Sequence, residues 1–93
     1  MANDLVGKVF LVTGATEGIG KAATLDFAKR GATVVLVGRN KEKSERVLAD
    51  LKRDSGNEKL SLLLGDMSKL DDVRQVARSF AAAHDRLDVL VNN

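Results

Sequence analysis

The sequence predicts an α/β protein built on a parallel sheet, in the order βαβαβαβ. Three observations carry this. Four short, apolar, mostly β-type runs recur along the 93 residues, as expected of strands covered on both faces. Between them lie three stretches of roughly 12 to 16 residues with helical periodicity, the spacing of crossover helices. A glycine-rich bend follows the first run and opens the first helical stretch.

Val9-Phe10-Leu11-Val12 is the first strand, ending near Thr13. The first helix extends to about Arg30 with Ile19, Ala23 and Phe27 on one face, and Gly31 is placed as its C′ residue. Lys29 and Arg30 suit the negative end of its dipole. Thr33 to Val37 is the second strand. Asn40 is the N-cap of a charged helix to about Asp54, with Val47, Leu48 and Leu51 as its stripe and Gly56 as its stop. The charges of its "KEKSER" opening read as a solvated face. Leu60 to Leu64 is the third strand. Ser68-Lys-Leu-Asp71 fits a capping-box variant, with Ser68 as the cap of a helix that turns Leu70, Val73, Val76, Ala77 and Phe80 inward. Leu87 to Val91 is the fourth strand, followed by Asn92 and Asn93.

Composition narrows the function classes. A chain of this size suits one small domain and buries only roughly 60% of its unfolded surface. There is no Cys, so disulfides, thiolate nucleophiles and Cys-based zinc sites are excluded. Fifteen basic against 13 acidic residues make no basic face, and three Phe without Tyr or Trp leave little for base stacking, which argues against a nucleic-acid partner. Met1-Ala2-Asn3-Asp4 lacks the basic start and apolar core of a signal peptide, and no apolar run approaches the roughly 20 residues of a membrane span. The expectation is a soluble, cytoplasmic chain. His84, near the end of the third helix, has no partner constellation in sequence and reads as a surface residue.

The informative stretch is Thr13-Gly-Ala-Thr-Glu-Gly-Ile-Gly20. Glycines let a backbone turn tightly and approach a ligand, and a helix N-terminus offers free N–H groups to an anion such as a pyrophosphate. Three frames compete. The P-loop pattern fails at Ala15, where it needs Gly, and at Ala22, where it needs a magnesium-binding hydroxyl. The pattern G-x-G-x-x-[GA] matches from Gly18 to Ala23, but its first Gly lies too far beyond the strand. T-G-x-x-x-G-x-G, from Thr13 to Gly20, starts at the strand end and fits without a gap.

"TGATEGIG", "GDMS" and "LVNN" together resemble the N-terminal half of a short-chain dehydrogenase/reductase. The glycine motif matches at Thr13, Gly14, Gly18, Ile19 and Gly20, an adenine-contacting Asp at Asp66, and the first two residues of an Asn-Asn-Ala-Gly segment at Asn92 and Asn93. "GKVFLVTGATEGIGKA" and "VGRN" resemble the branch that includes retinol dehydrogenases. The resemblance implies a truncated Rossmann-type, doubly wound domain over residues 1–93, with strand order 3-2-1-4. It implies a nucleotide site drawn from Gly14, Thr16, Glu17, Gly18, Ile19 and Gly20, from Arg39 and Asn40, from Asp66 and Met67, and from Asn93.

An NAD site usually carries a carboxylate at the end of the second strand, whereas an NADP site replaces it and adds an Arg for the 2′-phosphate. Here the strand runs into Gly38-Arg39-Asn40, with no carboxylate before Glu42. Gly38 leaves room, and Arg39 can present a permanently charged fork. Glu17 argues the other way unless it rotates outward, with Lys41 offsetting its charge. The balance favours NADP over NAD.

The family's chemistry rests on a Ser, a Tyr-x-x-x-Lys pair and an Asn on a later helix, all expected beyond position 93. This sequence has no Tyr. The implied function is the dinucleotide-binding half of an oxidoreductase acting on alcohols or carbonyls, itself inactive. The alternative is a stand-alone nucleotide-binding or interaction module. Without a fifth strand, the fourth would be an exposed apolar edge prone to self-association.

Overall fold

The computed structural model describes residues 3–93; Met1 and Ala2, which open the segment compared above with a signal peptide, lie outside the described residues. The elements are β1 (Val9–Thr13), α1 (Gly18–Lys29), β2 (Thr33–Gly38), α2 (Lys41–Ser55), β3 (Leu60–Leu64), α3 (Leu70–Ala83) and β4 (Val89–Asn92). They form one four-stranded parallel sheet in the order β3-β2-β1-β4, the order that the resemblance implies. Leu11 sits opposite Val35 on one side and Leu90 on the other, and Leu36 sits opposite Leu62.

Side chains alternate across the sheet, and the two faces have different covers. Phe10, Val12, Val34 and Leu36 point toward α1 and α2 and join Ala28, Val47 and Leu51 in the main core. Leu11, Val37 and Leu90 face the other way, toward Val73, Val76 and Ala77 of α3, across an apolar groove. Both faces of β2 are covered: Val34 through Val37 are buried without interruption, which is why that strand reads as an unbroken apolar run.

Several helix details follow the local sequence. The Asn40 side chain accepts a hydrogen bond from the Lys43 amide at 3.0 Å, capping α2. Gly56 ends that helix in the left-handed region, φ 69°. His84 closes α3 and lays its ring on Phe80, with centroids 4.9 Å apart.

Elsewhere the structure corrects the sequence reading. Gly20, Thr24 and Ala28 form the inner face of α1, while Ile19 is 87% exposed. Size decides this: α1 lies so close to β1 that only small residues fit between them, and Phe27 reaches the core from the flank, against Phe10 at 4.7 Å. Ser68 does not cap α3. Its amide and hydroxyl both donate to Asp66 Oδ1, at 3.0 and 2.6 Å, and Lys69 occupies the N-cap position without a side-chain bond. Only Val76 and Phe80 of α3 are buried; Leu70 and Val73 are exposed. "KEKSER" is not wholly solvated, because Ser44 is 2% exposed.

β4 begins at Val89 instead of Leu87. Asp88 turns its carboxylate back to accept the Val9 amide at 2.7 Å, and Arg86 bridges Asp88 and the Gly7 carbonyl. The Val9 amide is the main reason the Asp88 carboxyl titrates below the usual carboxylate range.

Leu36, 1% exposed at the centre of the sheet, is expected to lose about 3 kcal/mol of stability as Leu36→Ala. Leu90→Ala, on an exposed position, should change it by less than about 0.5 kcal/mol. Urea titrations of both variants measure the difference.

Candidate functional site

In a doubly wound sheet, ligands bind beyond the carboxyl ends of the strands where the strand order reverses. Here β1 has β2 on one side and β4 on the other, so the reversal lies at β1. An open cleft of about 290 Å³ occupies that place. The end of every strand contributes to its wall: Thr13, Gly14 and Thr16 after β1, Gly38 and Arg39 after β2, Gly65 through Ser68 after β3, and Asn92 and Asn93 after β4.

The glycine loop takes its shape from two close approaches. Gly14 adopts φ 65°, and a β-carbon there would sit 2.9 Å from the β-carbon of Asn93. A β-carbon on Gly20 would overlap the Gly14 carbonyl. Glycine at both positions lets β1, the loop and α1 fold back on one another. The Asn93 side chain closes the arrangement by donating from Nδ2 to the Thr13 carbonyl at 3.0 Å. The neighbouring Asn92 Oδ1 accepts from Thr13 Oγ1 at 2.9 Å. Both asparagines therefore tie the end of β4 to the end of β1.

Of the residues expected at a nucleotide site, Gly14, Thr16, Arg39, Asp66, Met67 and Asn93 come together around the cleft. Glu17, Gly18, Ile19, Gly20 and Asn40 stand outside its walls. Gly20 is packed against the loop, Ile19 points to solvent, and Asn40 caps α2. The exposed Glu17 carboxylate pairs with Lys43. Lys41, expected to offset Glu17, pairs instead with Glu45 at 3.9 Å, and Lys43, at a different angle around α2, is the lysine that reaches Glu17.

Asp66 is the most heavily engaged group in the cleft. Oδ1 takes both hydrogen bonds from Ser68, and Oδ2 lies 3.9 Å from Arg39 Nη1. The Ser68 hydroxyl, then its amide, then the charge of Arg39 hold the Asp66 carboxyl below its usual range. It stays an acceptor at neutral pH, with Oδ2 open to a further donor. Sequence reasoning missed Asp72, whose carboxylate reaches back from the first turn of α3 to accept the Asp66 amide at 2.7 Å. An acidic residue in a first helical turn was the available signal.

These features define a class: doubly wound α/β proteins with a cleft at the carboxyl edge of the sheet, beside a glycine-rich first βα turn. Residues 8–93 match the family model for short chain dehydrogenase. The chain belongs to the short-chain dehydrogenase family. Dehydrogenase/reductase SDR family member 13 of Bos taurus is 42% identical over 89 residues, covering 96% of this chain and 24% of that protein. Retinol dehydrogenase 11 of Homo sapiens is 40% identical over 89 residues, covering 96% of this chain and 28% of that protein. A short chain dehydrogenase from Escherichia coli CFT073, solved in complex with NADPH, superposes with a TM-score of 0.88 at 34% identity, over 100% of this chain and 40% of that one. The chain thus spans about a quarter of the length of these two curated relatives.

Because the folded pKa of Asp66 is depressed, its contribution to stability is present above the ordinary carboxylate range and is lost as pH falls through the folded value. Ser68→Ala should raise the Asp66 pKa toward its ordinary value and move that loss to higher pH. Carbon-13 NMR titration of the Asp66 carboxyl in both proteins measures the shift.

Proposed function

We propose that this chain is the dinucleotide-binding half of an NADP(H)-dependent oxidoreductase that interconverts alcohols and carbonyls by hydride transfer. Arg39 is the observation that carries the reading. Its side chain is 79% exposed at the mouth of the cleft, just past a strand that ends without a carboxylate. A 2′-phosphate would meet a planar, permanently charged fork there. An unphosphorylated ribose would find no acidic partner at the strand end. The NADPH complex of the Escherichia coli relative supports a dinucleotide of this kind.

The cleft's roughly 290 Å³ is at the low end for ligand pockets, and this suits one nucleotide half. In the proposed arrangement the segment Gly14 to Gly20 takes the pyrophosphate, with free N–H groups at the start of α1 and the Thr16 side chain beside it. Arg39 and Asn40 lie at the 2′-phosphate end. Asp66 Oδ2 accepts from the adenine amino group, and Met67 and Asn93 bound the adenosine. When bound, the nicotinamide supplies or accepts the hydride. Proton transfer needs a positioned donor or acceptor, and the sequence has no Tyr to match the family's. The 93 residues therefore bind and orient, and the catalytic residues belong to the rest of the parent domain. A second reading, a nucleotide-binding module without turnover, shares the binding step and draws on the same absence of Tyr.

No helix among the described residues is long and apolar enough to cross a membrane. A cytoplasmic setting belongs to the proposal, and the Cys-free composition is compatible with it. Self-association belongs to it as well: β4 pairs only with β1 among the described strands, and Val89 and Leu90 are exposed along it.

Fluorescence titration should give a lower Kd for NADPH than for NADH. Arg39→Ala should weaken NADPH by about 10- to 100-fold, the range for a hydrogen bond to a charged group, and leave NADH nearly unchanged. Equal losses for both cofactors would refute the assignment of Arg39. Light scattering should show concentration-dependent association that Leu90→Lys reduces; a monomer at all concentrations would remove β4 as a contact.

A further inference from the structure

Gly38 ends β2 at the cleft, and its α-carbon faces the first turn of α2. A β-carbon at position 38 would overlap Ser44 Oγ, lie 2.9 Å from Ser44 Cβ, and touch Leu62 Cδ1 at 3.7 Å. Ser44 therefore occupies the space into which any side chain at position 38 would grow. It is 2% exposed, and its hydroxyl has no hydrogen-bond partner among the described residues. A buried hydroxyl without a partner is destabilising, so core stability does not account for a serine here.

The turn that carries Ser44 is also fixed in place. The Ser44 amide donates to the Asn40 carbonyl at 2.9 Å, and the Lys43 amide donates to Asn40 Oδ1 at 3.0 Å. Position 38 is where the end of β2 would present a carboxylate to two ribose hydroxyls. We propose that Ser44 is a specificity-determining residue: by filling the side-chain space of position 38 it keeps a carboxylate out, leaving Arg39 as the group at that strand end. The inference rests on the NADP(H) reading above and adds to it a residue that lines no part of the cleft.

The test combines thermal melts with NADPH and NADH titrations of the full chain and of four variants: Gly38→Asp, Ser44→Gly, Gly38→Asp/Ser44→Ala and Gly38→Asp/Ser44→Gly. Gly38→Asp alone should melt well below the unaltered chain. Adding Ser44→Gly should restore the melting temperature to that of Ser44→Gly alone. The double variant should move the NADPH-to-NADH preference toward NADH by about tenfold or more, the scale of one charge-assisted hydrogen bond. Adding Ser44→Ala should restore only part, because the β-carbon contact at 2.9 Å persists.

Three results from the variants would overturn the role. Gly38→Asp alone could melt normally and gain NADH binding, or the double variant could stay as unstable as Gly38→Asp. The double variant could also regain stability with its cofactor ratio unchanged, which would make Ser44 a packing residue only. An unaltered chain that prefers NADH would refute the NADP(H) reading and the specificity role together, while the melting cycle still reports the steric conflict by itself.

Discussion

The rest of the structure depends on the contact between Gly20 and the Gly14 carbonyl. At that point the first turn of α1 lies directly against the loop that leaves β1, with no room for a β-carbon. The contact sets how near α1 comes to the sheet. It thereby selects Thr24 and Ala28 for the inner face, where both are almost wholly buried. Thr24 settles its hydroxyl on the Gly20 carbonyl at 2.7 Å, so even the polar member of this face is satisfied. The Asn93 side chain packs against both glycines, its Cβ 2.9 Å from a β-carbon placed on Gly14 and its Nδ2 3.0 Å from one placed on Gly20.

Around the cleft, charge is arranged by pairing between successive βα turns. Asp66 after β3 faces Arg39 after β2, and Glu17 after β1 faces Lys43 of α2. These groups are mostly exposed, so each pair adds little to stability. Their effect is on the local field: an anion entering the cleft meets Arg39 close at hand, while Glu17 is held by a lysine on its outer side. Position along the helix decides which lysine serves, since Lys41 and Lys43 lie at different angles around α2.

Much of this fold was legible in the sequence because the relevant signals are local. Leu60 to Leu64 is an apolar run of strand length, and Asn40 and Gly56 carry the cap chemistry that their backbone positions require. The strand order came from the likeness of the glycine loop, Asp66 and the two asparagines to a known family. What was not legible arises between elements. The inner face of α1 follows from crowding against β1, so hydrophobic periodicity pointed to Ile19, one residue from the buried Gly20. Ser68 had the right chemistry for a cap, but Asp66 competes for its hydroxyl. Gly38 was read as open space, whereas Ser44 fills the far side of it. At the site, Asp66 and Arg39 were legible from their places at strand ends. Asp72 and Lys43 act across turns that sequence spacing does not bring together.

The two ties that hold β4 to β1 have a consequence for timing. Asp88 meets the Val9 amide across 79 residues, and Asn93 meets the Thr13 carbonyl across 80. Contacts so distant in sequence form only after a large loss of chain entropy. During synthesis from the N-terminus, the three-stranded β1-β2-β3 unit and its two core helices can assemble before β4 has emerged. The cleft cannot, because one of its walls and the side chain that braces its glycine loop come from Asn92 and Asn93, which are made after all three of those strands. Formation of the cleft is thus delayed relative to the core, and a nascent chain has no complete cleft until the sheet has its fourth strand.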